Sequence, residues 1–259
     1  MRLPSVAAVL LLASQHPGVH VPARAAEPVD LELVLAADGS GSIDDEELRF
    51  QREGYAQALA SGPVIDAVRS GRHARIAVVY LEWGGADSQH VIADWTLIRG
   101  EEDARAFGVR LTAAPRAARG WNSISGAIDY GLRLMTANAY EGERRVIDVS
   151  ADGAHFGGRP VRAARDDAVA HGVTINGLVV QPPEGRLAVQ GVPLRTHFEQ
   201  DVIGGAGAFV VAAESRREFL GALMAKLVRE IADNGAERSR TVARSEALRS
   251  GEGRSGAAD

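Results

Sequence analysis

Asp38, Ser40 and Ser42 stand at alternating positions in the stretch LELVLAADGSGSIDDEELRF, Leu31 to Phe50. One carboxylate and two hydroxyls spaced by glycines can turn three oxygens toward one point. That donor set suits a hard divalent cation such as Mg2+, which takes about six oxygens at roughly 2.1 Å and keeps some of its waters. The same letters fit a plain capped turn. Gly and Ser are ordinary turn formers, and Asp44 and Glu47 suit the first turn of a following helix. The pentapeptide by itself does not separate a cation loop from a turn.

Two more stretches bear on the choice. RRVIDVSADG, Arg144 to Gly153, is a second apolar run ending in an acid and a glycine, Asp152-Gly153. RGWNSISGAID, Arg119 to Asp129, brings Asn122 and Ser123 into a helix from a glycine turn. For these residues to meet, the elements that carry them must end on one edge of one sheet.

The hydrophobic periods supply such elements. Strands are predicted at Val29 to Ala37, Arg75 to Trp83, Gln89 to Trp95, Arg145 to Ala151, Val173 to Val180 and Ala208 to Val211. Helices are predicted at Asp44 to Ala60, Glu101 to Ala113, Ser123 to Asn138, Val161 to His171 and, briefly, His197 to Ile203. A last helix carries a Ser215/Glu218 capping box. Its apolar face runs through Phe219, Leu220, Leu223, Met224, Leu227, Val228 and Ile231, and Asn234-Gly235 ends it. Alternating strands and helices imply an α/β domain with a mostly parallel sheet covered on both faces. Only the second and third strands are close enough for a hairpin, so one edge strand is antiparallel. Ligands of such sheets sit at the carboxyl ends of the strands beside the switch in strand order, which is where Asp38 falls.

Asp38-x-Ser40-x-Ser42 after a first strand, a polar start to a central helix, and Asp152-Gly153 after a later strand together resemble the three-part metal-ion-dependent adhesion site of von Willebrand factor A domains. The likeness runs from about Val29 to Asp233. The phrases QREGYA, GWNSISGAID, RRVIDVSADG, GVTINGL, VIGGAGAFV and KLVREIA resemble a bacterial exported subgroup of that superfamily, the domain of unknown function 1194 type. The resemblance implies one doubly wound, mostly parallel six-stranded sheet of order 3-2-1-4-5-6. It also implies a Mg2+, Mn2+ or Ca2+ site built from Asp38, Ser40, Ser42 and Asp152, and a protein partner whose acidic side chain completes the coordination. One departure stands out: the second part of the site normally supplies a Thr hydroxyl, and the aligned residue is Asn122. Its amide oxygen reaches one atom further, and Ser123 is the neighbouring alternative. As a plain structural residue, Asn122 would cap the helix.

Asp148 shares a strand face with Ser150 and Asp152. It either steadies the rim or makes an internal contact with backbone or an Arg. Glu82, Asn176 and Thr174 raise the same question, and His155 is expected to be a solvated loop residue. Enzyme readings lack their chemistry. The aspartyl-phosphatase signature would place its nucleophile at Ala36, and no Gly-x-Ser-x-Gly elbow or Walker loop is present. Gly204-Gly205-Ala206-Gly207 precedes a strand and is a poor dinucleotide fingerprint. The activity is expected to be binding, not catalysis; a scaffold of the same fold with a degenerate site is the alternative, and metal-dependent hydrolysis ranks third.

The chain of 259 residues is 46% hydrophobic, enough for one large core. Arg2, an apolar run from Leu3 to Ala13 too short to span a bilayer, and Ala23-Arg24-Ala25 read as an export signal over residues 1–25. The expected domain then covers residues 29–233 and a disordered tail covers 234–259. Removing the signal takes away Arg2 and Arg24 and no acid, which moves the formal charge from −5 to −7. No basic stripe is left for nucleic acid. The absence of cysteine excludes disulfides and thiolate metal sites. The mature chain has no segment apolar enough to cross a membrane, and a periplasmic or secreted location is expected.

Overall fold

The computed structural model describes residues 25–180 and 191–232. The expected export signal, most of the proline-rich excursion after Val180, the Asn234-Gly235 helix stop and the tail lie outside these residues.

The chain runs β1 (Glu27–Asp38), α1 (Asp45–Leu59), α2 (Gly62–Arg69), β2 (Ile76–Trp83), β3 (Gln89–Ile98), α3 (Glu101–Ala113), α4 (Ile124–Thr136), β4 (Tyr140–Ala151), α5 (Val161–Ala170), β5 (Thr174–Val180), α6 (Leu194–His197), β6 (Val210–Ala213) and α7 (Arg216–Ala232). The strands form one sheet of order β3-β2-β1-β4-β5-β6, the order implied by the resemblance. β2 and β3 pair antiparallel, which puts the one reversed strand at an edge, and every other pair is parallel.

Because side chains alternate across a strand, β1 feeds two cores. Leu31, Leu33, Leu35 and Ala37 pack with Tyr55, Leu59, Val64, Phe107, Phe219 and Leu223 from α1, α2, α3 and α7. Val34 and Ala36 point the other way, toward Ile124, Ile128, Val161 and Ala164 of α4 and α5. A strand buried on both faces reads as a continuous apolar run, and β1 does.

Several boundaries differ from the sequence expectation. β4 begins at Tyr140, because its first residues pair with Glu27 and Pro28. β6 lies two residues later than expected, at Val210–Ala213. Helix α2 was not anticipated: a Ser61 N-cap and Pro63 in its first turn start it, and Val64, Ile65, Ala67 and Val68 bury one face over only eight residues. The single short helix expected from His197 becomes α6 followed by a π-helical turn at Phe198–Val202. Ser215 caps α7 through Glu218 N–H, while the Glu218 carboxylate accepts from Glu214 N–H instead of completing the reciprocal bond. Among the described residues no helix is long and apolar enough to cross a membrane.

Candidate metal centre

β1 and β4 lie side by side, with Ala37 paired to Ser150, so the acids that follow them emerge on one rim of the sheet. A string of oxygens joins them. Ser40 and Ser42 hydroxyls lie 3.0 Å apart, and the Ser42 hydroxyl donates to Asp152 Oδ1 at 2.9 Å. Asp38 Oδ1 accepts from Ser40 N–H at 2.8 Å. Asp38, Ser40, Ser42 and Asp152 are thus brought together as the spacing suggested.

The loop between β1 and α1 is held from several sides. Asp44 and Glu47 form the reciprocal capping box of α1. Gln51 donates from α1 to the Asp38 carbonyl at 3.0 Å, and Gly39 N–H donates to the Trp83 carbonyl of β2 at 2.8 Å. Gly41, between the two serines, donates to the Gly120 carbonyl at 2.8 Å. The Arg116 guanidinium, not singled out in the sequence, donates to the carbonyls of Gly39, Ser40 and Ile43 at 3.2, 3.0 and 2.6 Å and pairs with Asp45. Beneath the loop, Arg52 of α1 makes a buried two-pronged pair with Glu82 of β2, at 2.7 and 3.0 Å. That pair is the answer for Glu82: its charge is neutralised inside the fold.

Asp38 itself is nearly inaccessible, at 1% exposure, and its Oδ2 has no hydrogen-bond partner. Burial, and then the nearby Asp152 carboxylate, push Asp38 from 3.8 up to about 7, against the weaker pull of the Ser40 N–H, the Ser40 hydroxyl and the Asp152 N–H, which lie close to the carboxylate. A buried carboxylate with an unpartnered oxygen beside a second carboxylate is the electrostatic setting that a bound cation relieves. The oxygen-only donors fit a hard ion better than a soft one. Among the described residues no group of three His, Cys, Asp or Glu converges on a metal-sized space, so such a site would lean on hydroxyls and on groups from outside.

The third segment departs from expectation in register. Ser123, not Asn122, is the N-cap of α4; its hydroxyl accepts from Gly126 N–H at 3.3 Å and donates to the Gly157 carbonyl at 3.1 Å. Both Asn and Ser cap well, and the helix starts one residue later than the sequence suggested. Ser123 is therefore already engaged. The Asn122 amide is buried against the Asp152-Gly153 turn: a Cβ on Gly153 would lie 2.1 Å from Asn122 Nδ2, so only glycine lets that amide approach.

The internal contact expected of Asp148 is made, but to a lysine and not to backbone or an Arg, and its side chain does not reach the rim. It pairs with Lys226, the only lysine in the chain, at 2.5 Å, and both are fully buried. Lys226 also pairs with Glu230 on α7, and Glu230 Oε1 accepts from Asn176 at 2.8 Å. Asn176 Oδ1 in turn accepts from Phe209 N–H, and Thr174 donates to the Ala206 carbonyl at the surface. Burial and Glu230 push Asp148 up to about 7 despite the Lys226 ammonium. His155 is partly buried, not simply solvated; its Nε2 lies 3.1 Å from the Arg159 carbonyl, and burial lowers its pKa.

The sheet order and the helices on both faces are those of the von Willebrand factor A-like fold. Solved structures with this fold include the pilus adhesin SpaC from Lactobacillus rhamnosus GG, at 14% identity and TM-score 0.57, covering 80% of this chain and 31% of that one. Proximal thread matrix protein 1 from the mussel byssus, solved with a zinc-occupied MIDAS motif, matches at 17% identity and TM-score 0.55 over 82% of this chain and 49% of that one. A von Willebrand factor type A protein from Catenulispora acidiphila matches at 15% identity and TM-score 0.51, over 80% and 43%. The chain spans about a third to a half of the length of these structures. No curated protein gives a significant sequence match. The chain belongs to the family described as Protein of unknown function (DUF1194), whose model matches residues 28–235.

Proposed function

We propose that this protein is an exported module that holds one divalent cation, Mg2+ or a related ion such as Mn2+ or Ca2+, and through it binds a protein partner presenting an acidic side chain. The observation that carries the reading is the buried Asp38 carboxylate, with one oxygen unpartnered and the Asp152 carboxylate beside it. Asp38 and Asp152 would supply charge, directly or through water, and Ser40 and Ser42 hydroxyl oxygens. The bound ion would supply a positive centre for a partner carboxylate. A zinc-occupied MIDAS motif in the mussel protein and the adhesin description of SpaC support the reading by likeness of fold. The export part rests on the apolar run and the Ala23-Arg24-Ala25 site near the N-terminus. The activity is binding, not turnover.

Calorimetric titration of the protein with Mg2+, Mn2+, Ca2+ and Zn2+ is expected to give one site per chain, lost in Asp38→Ala while circular dichroism stays unchanged. Unaltered affinity in that variant overturns the site. Reproducible metal-dependent hydrolysis of a phosphoester, peptide or glycoside, lost in Asp38→Ala, makes the protein an enzyme instead.

A cation-independent scaffold is the second reading, favoured by the string Ser40–Ser42–Asp152, which closes through hydrogen bonds without an ion. Asn122→Thr helps to separate the two. If the amide is a long-reaching ligand, the threonine tightens Mg2+ binding; stability should change by about 1 kcal/mol or less, because Ser123 provides the cap. Equal affinity in both proteins removes Asn122 from the ligand set.

A further inference from the structure

Three large apolar side chains of the described residues stand well out in solvent: Val109 on α3, Trp121 and Phe156, at 67, 67 and 65% exposure. Single exposed apolar residues are ordinary, but two of these three are tied to the same rim. Gly120, the residue before Trp121, accepts from Gly41 N–H inside the serine loop, and Asn122, the residue after it, accepts from Phe156 N–H at 2.7 Å. Asp152 starts the loop that carries Phe156. The two rings therefore sit on adjoining segments that border the Asp38, Ser40, Ser42 and Asp152 oxygens.

Their backbones are well anchored. Gly85 N–H donates to the Arg119 carbonyl at 2.7 Å, Arg119 N–H to the Ser88 hydroxyl at 2.9 Å, and Ser123 N–H to the Gly84 carbonyl at 2.7 Å. On the other segment the Ser123 hydroxyl holds the Gly157 carbonyl. Gly120 and Gly157, next to each aromatic residue, adopt φ of +89° and +81°, which a residue with a Cβ adopts only under strain. Aromatic rings on loops already fixed by hydrogen bonds lose little freedom when a partner covers them. Such rings, Trp above all, are the side chains that dominate binding energy in interfaces. Arg119, two residues before Trp121, is exposed and adds a positive charge to the same segment.

From this we infer that Trp121 and Phe156, with Arg119 beside them, form the surface that selects the partner: an acidic segment whose carboxylate meets the rim and whose neighbouring apolar side chain packs on the rings. The inference rests on the proposed binding function and adds the chemistry of the partner. The positive guanidinium complements the segment's acid independently of any ion. Trp and Phe supply the apolar contact that a lone carboxylate cannot, and a requirement for both separates this partner from acidic peptides in general.

The test is selection of a displayed random dodecapeptide library on the immobilised full chain, run once in Mg2+ and once in chelator. Enriched peptides are expected to carry Asp or Glu next to an aromatic or large aliphatic residue. Synthetic copies should lose about 10-fold or more in affinity for Trp121→Ala and for Phe156→Ala. Val109→Ala, with an equally exposed apolar side chain on α3, should bind them as the wild type does. Mg2+ affinity and circular dichroism should be the same in all four proteins. Peptides without the acidic–apolar pairing, peptides that bind both ring variants normally, or no enrichment overturn the inference while leaving a measured Mg2+ site intact. Enrichment of the paired peptides in chelator, with dependence on both rings, supports this surface and instead removes the cation from partner binding.

Discussion

Lys226→Met lowers the unfolding free energy by about 3–5 kcal/mol, the cost of leaving buried carboxylates without their counter-charge. In the wild type one ammonium serves two acids, Asp148 on β4 and Glu230 on α7, and all three are shielded from solvent. Removing it leaves Asp148 and Glu230 facing each other, and Glu230 Oε2 already has no hydrogen-bond partner. The Arg144 guanidinium donates to the Glu230 and Ile231 carbonyls at the end of α7. The variant should also become more stable as pH falls, since protonation then removes the repulsion. Adding Asp148→Leu and Glu230→Gln to Lys226→Met should recover most of the loss, with the glutamine oxygen still accepting from Asn176. Urea unfolding followed by circular dichroism measures all three proteins. A loss below about 1 kcal/mol in Lys226→Met shows that the ion cluster does not anchor α7.

This cluster also marks where the sequence stops being informative. Strand β1 and the strand ending just before Asp152 are visible because a buried parallel strand is a continuous apolar run and glycine punctuates its end. The serine loop is visible because its spacing is local. Lys226 and Glu230 are four apart on a helix, and such a pair normally marks a solvated face. The apolar pattern of α7 therefore leaves them out, although they are buried with Leu223 and Leu227. Asp148 was conspicuous as an acid in an apolar strand, but its partner lies 78 residues away, and nothing local names it. Arg116 left even less trace. It acts through backbone carbonyls of a loop more than 70 residues earlier, and carbonyls carry no side-chain identity to read. The one-residue shift at Asn122 and Ser123 has a different origin: two good capping residues stand side by side, and local preference does not choose between them.

The rim acid has the more unusual expected behaviour: in chelator at pH 8, Asp38→Asn is more stable than the wild type. Asp38 is raised from 3.8 to about 7 in the folded protein, so between those values the folded chain binds a proton that the unfolded chain has released. Stability then falls as pH rises through that window, and above about 7 the wild type carries the full cost of an ionised, buried carboxylate beside Asp152. An asparagine keeps an oxygen for Ser40 N–H but carries no charge, so the gain at pH 8 should be on the order of 2 kcal/mol. Asp148, also raised to about 7, contributes a fall of the same sign, which the Asp38→Asn variant retains. Saturating Mg2+ should reverse the order of the two proteins, because the ion offsets the Asp38 charge only where that charge exists. Thermal midpoints of both proteins at pH 5, 6, 7 and 8, with Mg2+ and with chelator, decide the matter. If Asp38→Asn is the less stable protein in chelator at pH 8, the carboxylate is a structural element of the loop and not a charge held ready for a cation.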